Sequence, residues 1–183
     1  MAKRKKVINI RNDALLREIA STPLRTSMIV CAEVANSLLE EILHNHFVNH
    51  KTSSNMLEST QPLGTFSARI NMAFCLGLIS ENLFNDLEIL RKIRNDYAHS
   101  LIIENSMEQS HNDKFNNYFY VNNCFSITDK CSLNFKLRLA FVPILCALIK
   151  KVKSVKKLEI HSCELNDLSF DENDFEFLKT LYI

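Results

Sequence analysis

Five side chains able to do chemistry, Arg69, Asp86, Arg94, Asn95 and His99, sit inside a mostly apolar stretch, QPLGTFSARINMAFCLGLISENLFNDLEILRKIRNDYAH, that runs from Gln61 to His99. An imidazole moves protons near neutral pH and a guanidinium holds negative charge, so Arg94 and His99 are the pair to weigh first for catalysis. The same five residues serve equally well as a buried polar network that pins two helices. Long polar groups at core positions are costly without partners and stabilising with them. Five residues apart on one helix, Arg94 and His99 point about 140° away from each other, so a shared site requires a distorted last turn or two chains. The structural role is therefore expected for all five, and no catalytic residue is assigned. His46 and His50, at i and i+4, have a spacing that grips a metal from one helix face, yet no third ligand accompanies them, and a solvated helix end is the expectation. G-x-S-x-G, P-loop and G-x-G-x-x-G patterns are absent, and the two glycines of the chain cannot build a phosphate cradle. No metal and no cofactor are expected.

The elements that must position these residues read as helices throughout. Two Gly and three Pro in 183 residues are too few to punctuate an all-β chain. Asn12 or Asp13 caps a short helix through Ile19, and Pro23 opens a long one. In it Leu24, Met28, Cys31, Ala35, Leu38 and Ile42 recur at helical spacing, and Ile29, Ala32, Leu39, Leu43 and Phe47 widen the stripe enough to meet several neighbours or a second copy of the chain. Lys51 to Gln61 reads as a polar loop. Thr65 to Leu76 reads as a helix stopped by Gly77, and Ser80 caps the next; so short a turn makes an antiparallel hairpin. Counting outward from that turn sets Arg69 beside Asp86 or Glu88, which predicts an Arg69–Asp86 ion pair. Arg94 shares the stripe of Leu83, Leu87, Leu90 and Tyr97, so it is expected to point inward, toward the carbonyls of Pro62-Leu63-Gly64. Glu104 to Lys130 reads as a long loop with one short extended piece near Tyr118 to Val121. Asp129 or Ser132 then opens a last helix, kinked at Pro143 and ending in Lys150, Lys151, Lys153, Lys156 and Lys157.

The spaced pattern within the central stretch carries a family resemblance. Pro62-Leu63-Gly64, then Ser67 and Arg69, Leu76-Gly77 with Ile79, Asp86 with Leu90, Arg94-Asn95 and Ala98-His99 resemble the signature of the mannitol repressor-like family of bacterial proteins. A weaker echo continues at Phe125-Ser126 and Asp129-Lys130-Cys131. The resemblance implies an all-helical cytoplasmic regulator with no recognised DNA-reading motif, and it fixes fold more tightly than function. Arg94 to His99 is also similar to the R-x4-H motif of HEPN ribonucleases. That second resemblance implies that two protomers join two motifs in one cleft, where His99 moves the 2′-hydroxyl proton and Arg94 stabilises the charged phosphorane.

Charge bounds the partners. A formal net charge of +1 argues against a protein that coats nucleic acid and against an acidic DNA mimic. The charge is polarised, with Lys3, Arg4, Lys5, Lys6 and Arg11 at the start and Asp167, Asp171, Glu172, Asp174 and Glu176 near the end. Val7 to Arg11 is too short and polar for a signal-peptide core, and the apolar run Leu139 to Ile149 falls short of the ~20 residues of a membrane span. Cys31, Cys75 and Cys146 lie in apolar helical stretches, and no C-x-x-C spacing occurs, so reduced thiols are expected.

The sequence thus predicts an all-α single-domain bundle: a basic tip over residues 1–11, a helical domain over 12–157 with a long loop around 104–130, and a partly irregular acidic, aromatic tail over 158–183 packed on it. The expected function is non-enzymatic regulation through a protein partner, either a transcription component or a basic nuclease toxin that the chain neutralises. Phe170, Asp171, Glu172, Asp174, Phe175 and Glu176 are the expected partner-binding residues, since carboxylates among aromatics suit a basic protein surface. Sequence-specific DNA binding and membrane insertion are not expected. The alternative is a metal-independent ribonuclease that uses Arg94 and His99 in a homodimer.

Overall fold

The structure, a computed structural model, describes residues 21–99, 105–124 and 132–160. Every regular element among them is a helix: α1 (Leu24–His46), α2 (Lys51–Asn55), α3 (Phe66–Cys75), α4 (Glu81–His99), α5 (Asn105–Asn116), α6 (Phe119–Cys124) and α7 (Leu133–Ser154). The all-α bundle predicted by the apolar spacing is the fold. The helix expected over 12–19, the basic tip, the echo at 125–131 and the tail residues Phe170, Asp171, Glu172, Asp174, Phe175 and Glu176 lie outside the described residues. No helix among those described is long and apolar enough to cross a membrane.

Three long helices make the frame. α1 packs along α7 and α4, and its repeat Met28, Cys31, Ala35, Leu39 and Ile42 is buried throughout. Leu87, Leu90, Ile93 and Tyr97 of α4 and Leu137, Phe141, Ile144 and Leu148 of α7 close the same core. Each such side chain contributes roughly 1.5–3 kcal/mol by leaving water, which is why helices of mediocre intrinsic propensity hold together here. Pro143 lies inside α7, and the helix runs on past it to Ser154.

The ends of the helices follow from local chemistry. Pro23 occupies the cap position of α1, where its missing N–H costs nothing. Thr65 Oγ1 accepts from the Ala68 amide at 3.2 Å to start α3, Ser80 Oγ accepts from Leu83 at 3.3 Å to start α4, and Ser132 Oγ accepts from Phe135 at 3.3 Å to start α7. Gly77, with φ of +65°, turns α3 back onto α4 in the expected antiparallel hairpin.

Two segments read as loops are helical. α5 and α6 occupy most of the span 104–130, and α2 occupies part of 51–61. The Asn- and Ser-rich composition masked α5 and α6 because their stability comes from outside. His111, Phe115, Tyr118 and Val121 are buried against α4 and α7, and tertiary burial overrides weak propensity. α2 is capped by His50, whose Nδ1 accepts from the Thr52 amide at 3.2 Å, and is anchored by buried Leu57 just beyond it.

Candidate functional site

Arg69, near the middle of α3, is the most heavily bonded of the five expected polar residues. Its Nε donates to the Leu63 carbonyl at 2.8 Å and one Nη to the Leu57 carbonyl at 2.7 Å, while the other donates to Asn36 Oδ1 at 2.9 Å. Glu40 completes the cage with an ion pair at 3.0 Å. The guanidinium thus ties α3 both to α1 and to the backbone that enters the hairpin. The expected Arg69–Asp86 pair does not form. Asn36 and Glu40, one turn apart on α1, present two acceptors on a single face, and that spacing was the available signal for the true partner.

Asp86 is fully buried and turned the other way. Its two carboxylate oxygens accept the backbone N–H groups of Phe119 at 2.7 Å and Tyr120 at 2.9 Å, so one side chain of α4 satisfies both first donors of α6. Burial pushes the carboxyl upward from the usual range, against the pull of those two amides. Tyr118 beside it is pushed well up by burial and by the Asp86 charge. Nothing in the local sequence of Asp86 announces a partner more than thirty residues ahead, which is why hairpin counting assigned it to Arg69.

Arg94 is half-buried, not buried, and donates to Asn95 Oδ1 at 3.0 Å. Of the Pro62-Leu63-Gly64 carbonyls expected to receive it, that of Leu63 accepts from Arg69 instead. Asn95 is half-buried and His99 is exposed at the last residue of α4. Arg25 Nη2 reaches the nearby Ala98 carbonyl at 3.5 Å, placing a second cation at this helix end. Among the described residues the five polar groups therefore form separate attachments: a cage around Arg69, a cap made by Asp86, and the surface-reaching group Arg94, Asn95 and His99.

Sequence reasoning missed a cluster between α4 and α5. Asp96 Oδ2 accepts from His111 Nε2 at 3.2 Å and from Lys114 Nζ, and the buried His111 ring stacks on Tyr97 at 4.8 Å between centroids. Desolvation would raise the Asp96 carboxyl, but the Lys114 and His111 contacts outweigh it and hold the group below the usual carboxylate range. An acid, an imidazole and an ammonium together have catalytic types, but the imidazole is shut off from solvent. Arg138 of α7 was likewise missed; it donates to Ser27 Oγ at 2.8 Å and to the Thr22 carbonyl, holding the start of α1.

His46, which ends α1, and His50 beyond it have structural work. His46 Nδ1 donates to the Lys156 carbonyl at 2.8 Å, and its own carbonyl accepts from Leu158 at 2.7 Å, so the chain after α7 is fastened to the end of α1. His50 caps α2. Of the thiols read as core hydrophobes, Cys31 is buried and pushed up to about 12 by desolvation, Cys146 is half-buried, and Cys75 is exposed.

The described residues also form a large concavity. Leu78, Ile79 and Leu83 from the hairpin turn, Tyr120 from α6 and Val142 and Ala147 from α7 line an open apolar groove of about 810 Å³. Lys150 and Lys151 stand at one end of it, and Cys124 and Cys146 lie along it.

A family model described as mannitol repressor matches residues 17–131, which takes in α1 to α6 and with them Arg69, Asp86 and the end of α4. No curated protein and no solved structure matches the chain. The match covers well over half the sequence, and the chain belongs to the mannitol repressor family.

Proposed function

We propose that this chain is a non-enzymatic cytoplasmic regulator that works by holding a protein partner. The observation that carries the reading is the use made of the polar groups in the family segment. Arg69 and Asp86 spend their hydrogen-bonding capacity inside the fold, on Leu57, Leu63, Asn36, Glu40, Phe119 and Tyr120. Side chains committed in this way build a scaffold and do not turn over a substrate. The partner is basic, either a transcription component or a nuclease toxin that the chain neutralises, and the tail residues Phe170, Asp171, Glu172, Asp174, Phe175 and Glu176 meet it. Carboxylates raise the association rate with such a surface, and buried rings supply the affinity. Reversing Asp171, Glu172 and Asp174 to Lys tests this: the fold survives and the native partner is lost from a pull-down. Unchanged capture would move the interface to the helical faces.

A second reading is favoured by one observation. Arg94 and His99 both reach the surface at the end of α4, beside Arg25, where a second copy of the chain could bring a matching pair. In that reading the homodimer is a metal-independent ribonuclease. RNA cleavage by the purified chain that persists in chelator, and that disappears in a folded His99→Ala variant, would establish it over the first.

A further inference from the structure

The basic end of α7 meets no acidic counterpart among the described residues. Lys150, Lys151, Lys153, Lys156 and Lys157 follow one another within eight positions, and none makes an ion pair among the described residues. Two of them border the apolar groove, whose lining is otherwise mostly apolar, with Ser80, Ser154 and Tyr120 as its polar members. Such a surface asks for an occupant with apolar side chains and negative charge in one short segment. The next stretch of this same chain has that composition: Glu164, Asp167, Asp171, Glu172, Asp174 and Glu176 alternate with Phe170, Phe175, Phe177, Leu178 and Tyr182, and Lys179 is its single cation among Lys and Arg.

We infer that residues 161–183 dock in the groove between the α3–α4 turn, α6 and α7, with phenyl rings on its apolar wall and carboxylates on Lys150 and Lys151. Reach permits it. The segment starts just beyond Leu158, which is fastened to His46, and the ten residues after Ile160, ending at Phe170, span up to about 33 Å when extended. The groove runs along α7 from Val142 to Ser154, about 18 Å of helix. A segment tethered this closely faces its site at an effective concentration on the order of millimolar, so modest affinity suffices to keep it seated. The groove joins the two parts of the chain: its turn and α6 walls fall within the segment matched by the family model, whereas α7 and the tail lie beyond it. Its regulatory consequence, and only that, rests on the proposed role of the tail: aromatic groups seated in the groove are withheld from a partner until a more basic surface competes for them.

The thiols of the groove give a test that needs no partner. In the full-length chain, maleimide labelling of Cys124 and Cys146 is followed by peptide mass spectrometry, each cysteine being compared with itself across variants. Exposed Cys75, which does not line the groove, serves as the reference, and buried Cys31 reports loss of fold. The triple reversal Asp171→Lys, Glu172→Lys, Asp174→Lys should speed labelling of Cys146 about tenfold, the factor equivalent to roughly 1.4 kcal/mol of docking. Cys75 should be unaffected. Lys150→Glu with Lys151→Glu, both on the rim, should release Cys146 in the same way, and combining the two sets of reversals should restore its protection. Equal Cys146 rates in all the chains would overturn the proposal. So would protection that fades on dilution, which would give the groove to a second copy of the chain.

Discussion

At the scale of single residues, two arginines of the same hairpin take opposite parts. Arg69 has all its principal donors satisfied in a buried cage, whereas Arg94 is half-buried and bonded to its neighbour Asn95. Arg69→Ala strands the Leu57 and Leu63 carbonyls and Asn36, and should lower stability by about 3–5 kcal/mol in urea denaturation. Arg94→Ala should cost no more than about 1 kcal/mol. The reverse ranking would show that the scaffold is held at the other end of α4. The sequence made both arginines legible as special, because each interrupts an apolar helical stripe, but not which one was buried. That choice turns on Asn36 and Glu40, more than twenty-five residues before Arg69. Asp96 carries a pH signature of its own. Lys114 and His111 hold its carboxyl below the ordinary value of 3.8, so the unfolded chain binds the proton more tightly. The contribution is complete above that value and is lost as pH falls through the depressed one. Asp86, pushed upward by burial, has the opposite sign: its protonation favours the fold, and that advantage fades as pH rises from 3.8 through the raised value. Asp96→Asn should therefore flatten the acid side of the stability–pH profile, and a profile as steep as that of the unmodified chain would remove Asp96 from the account.

At the scale of elements, the helices that could be read from sequence are those whose own residues stabilise them. α1, α3, α4 and α7 carry apolar residues at helical spacing, and three of them begin at a Ser or Thr cap. α5 and α6 lack both features, and α6 draws its N-terminal acceptor from Asp86 on another helix. Asp86→Ala should leave the amides of Phe119 and Tyr120 without that acceptor, so their hydrogen exchange should accelerate well before that of α1 or α7. Uniform acceleration across the bundle would mean that α6 does not open separately. The two glycines act differently. Gly77 needs its positive φ and has open space around it, so Gly77→Ala should cost about 1 kcal/mol from conformation alone. Gly64 has ordinary dihedrals but is pressed against backbone: an added Cβ would come within 3.0 Å of the Glu58 and Ser59 carbonyl oxygens. Gly64→Ala must displace the segment that supplies carbonyls to Arg69, and it should be the more damaging change by thermal melting.

At the scale of the whole molecule, charge balance matters more than total charge. The basic α7 end and the acidic tail nearly cancel in sequence, and the net formal charge is +1. A protein that grips DNA through its backbone needs several uncompensated cations on one face, since each phosphate contact releases counterions and makes affinity fall with salt. If the lysines of α7 are covered by the tail, few clustered cations remain for that purpose beyond the basic tip of residues 1–11. The full-length chain should then bind duplex DNA no more tightly than the roughly 10⁻⁴–10⁻⁶ M typical of non-specific contacts, without preference among sequences. Reversing Asp171, Glu172 and Asp174 to Lys frees the α7 lysines and adds three cations, so this variant should bind more tightly and with a steeper dependence on salt. Fluorescence anisotropy with one labelled duplex across a salt series reads both quantities. Nanomolar, sequence-selective binding by the unmodified chain at physiological salt would make it a direct reader of DNA, and action through a protein partner would no longer be needed to explain a regulator with this fold.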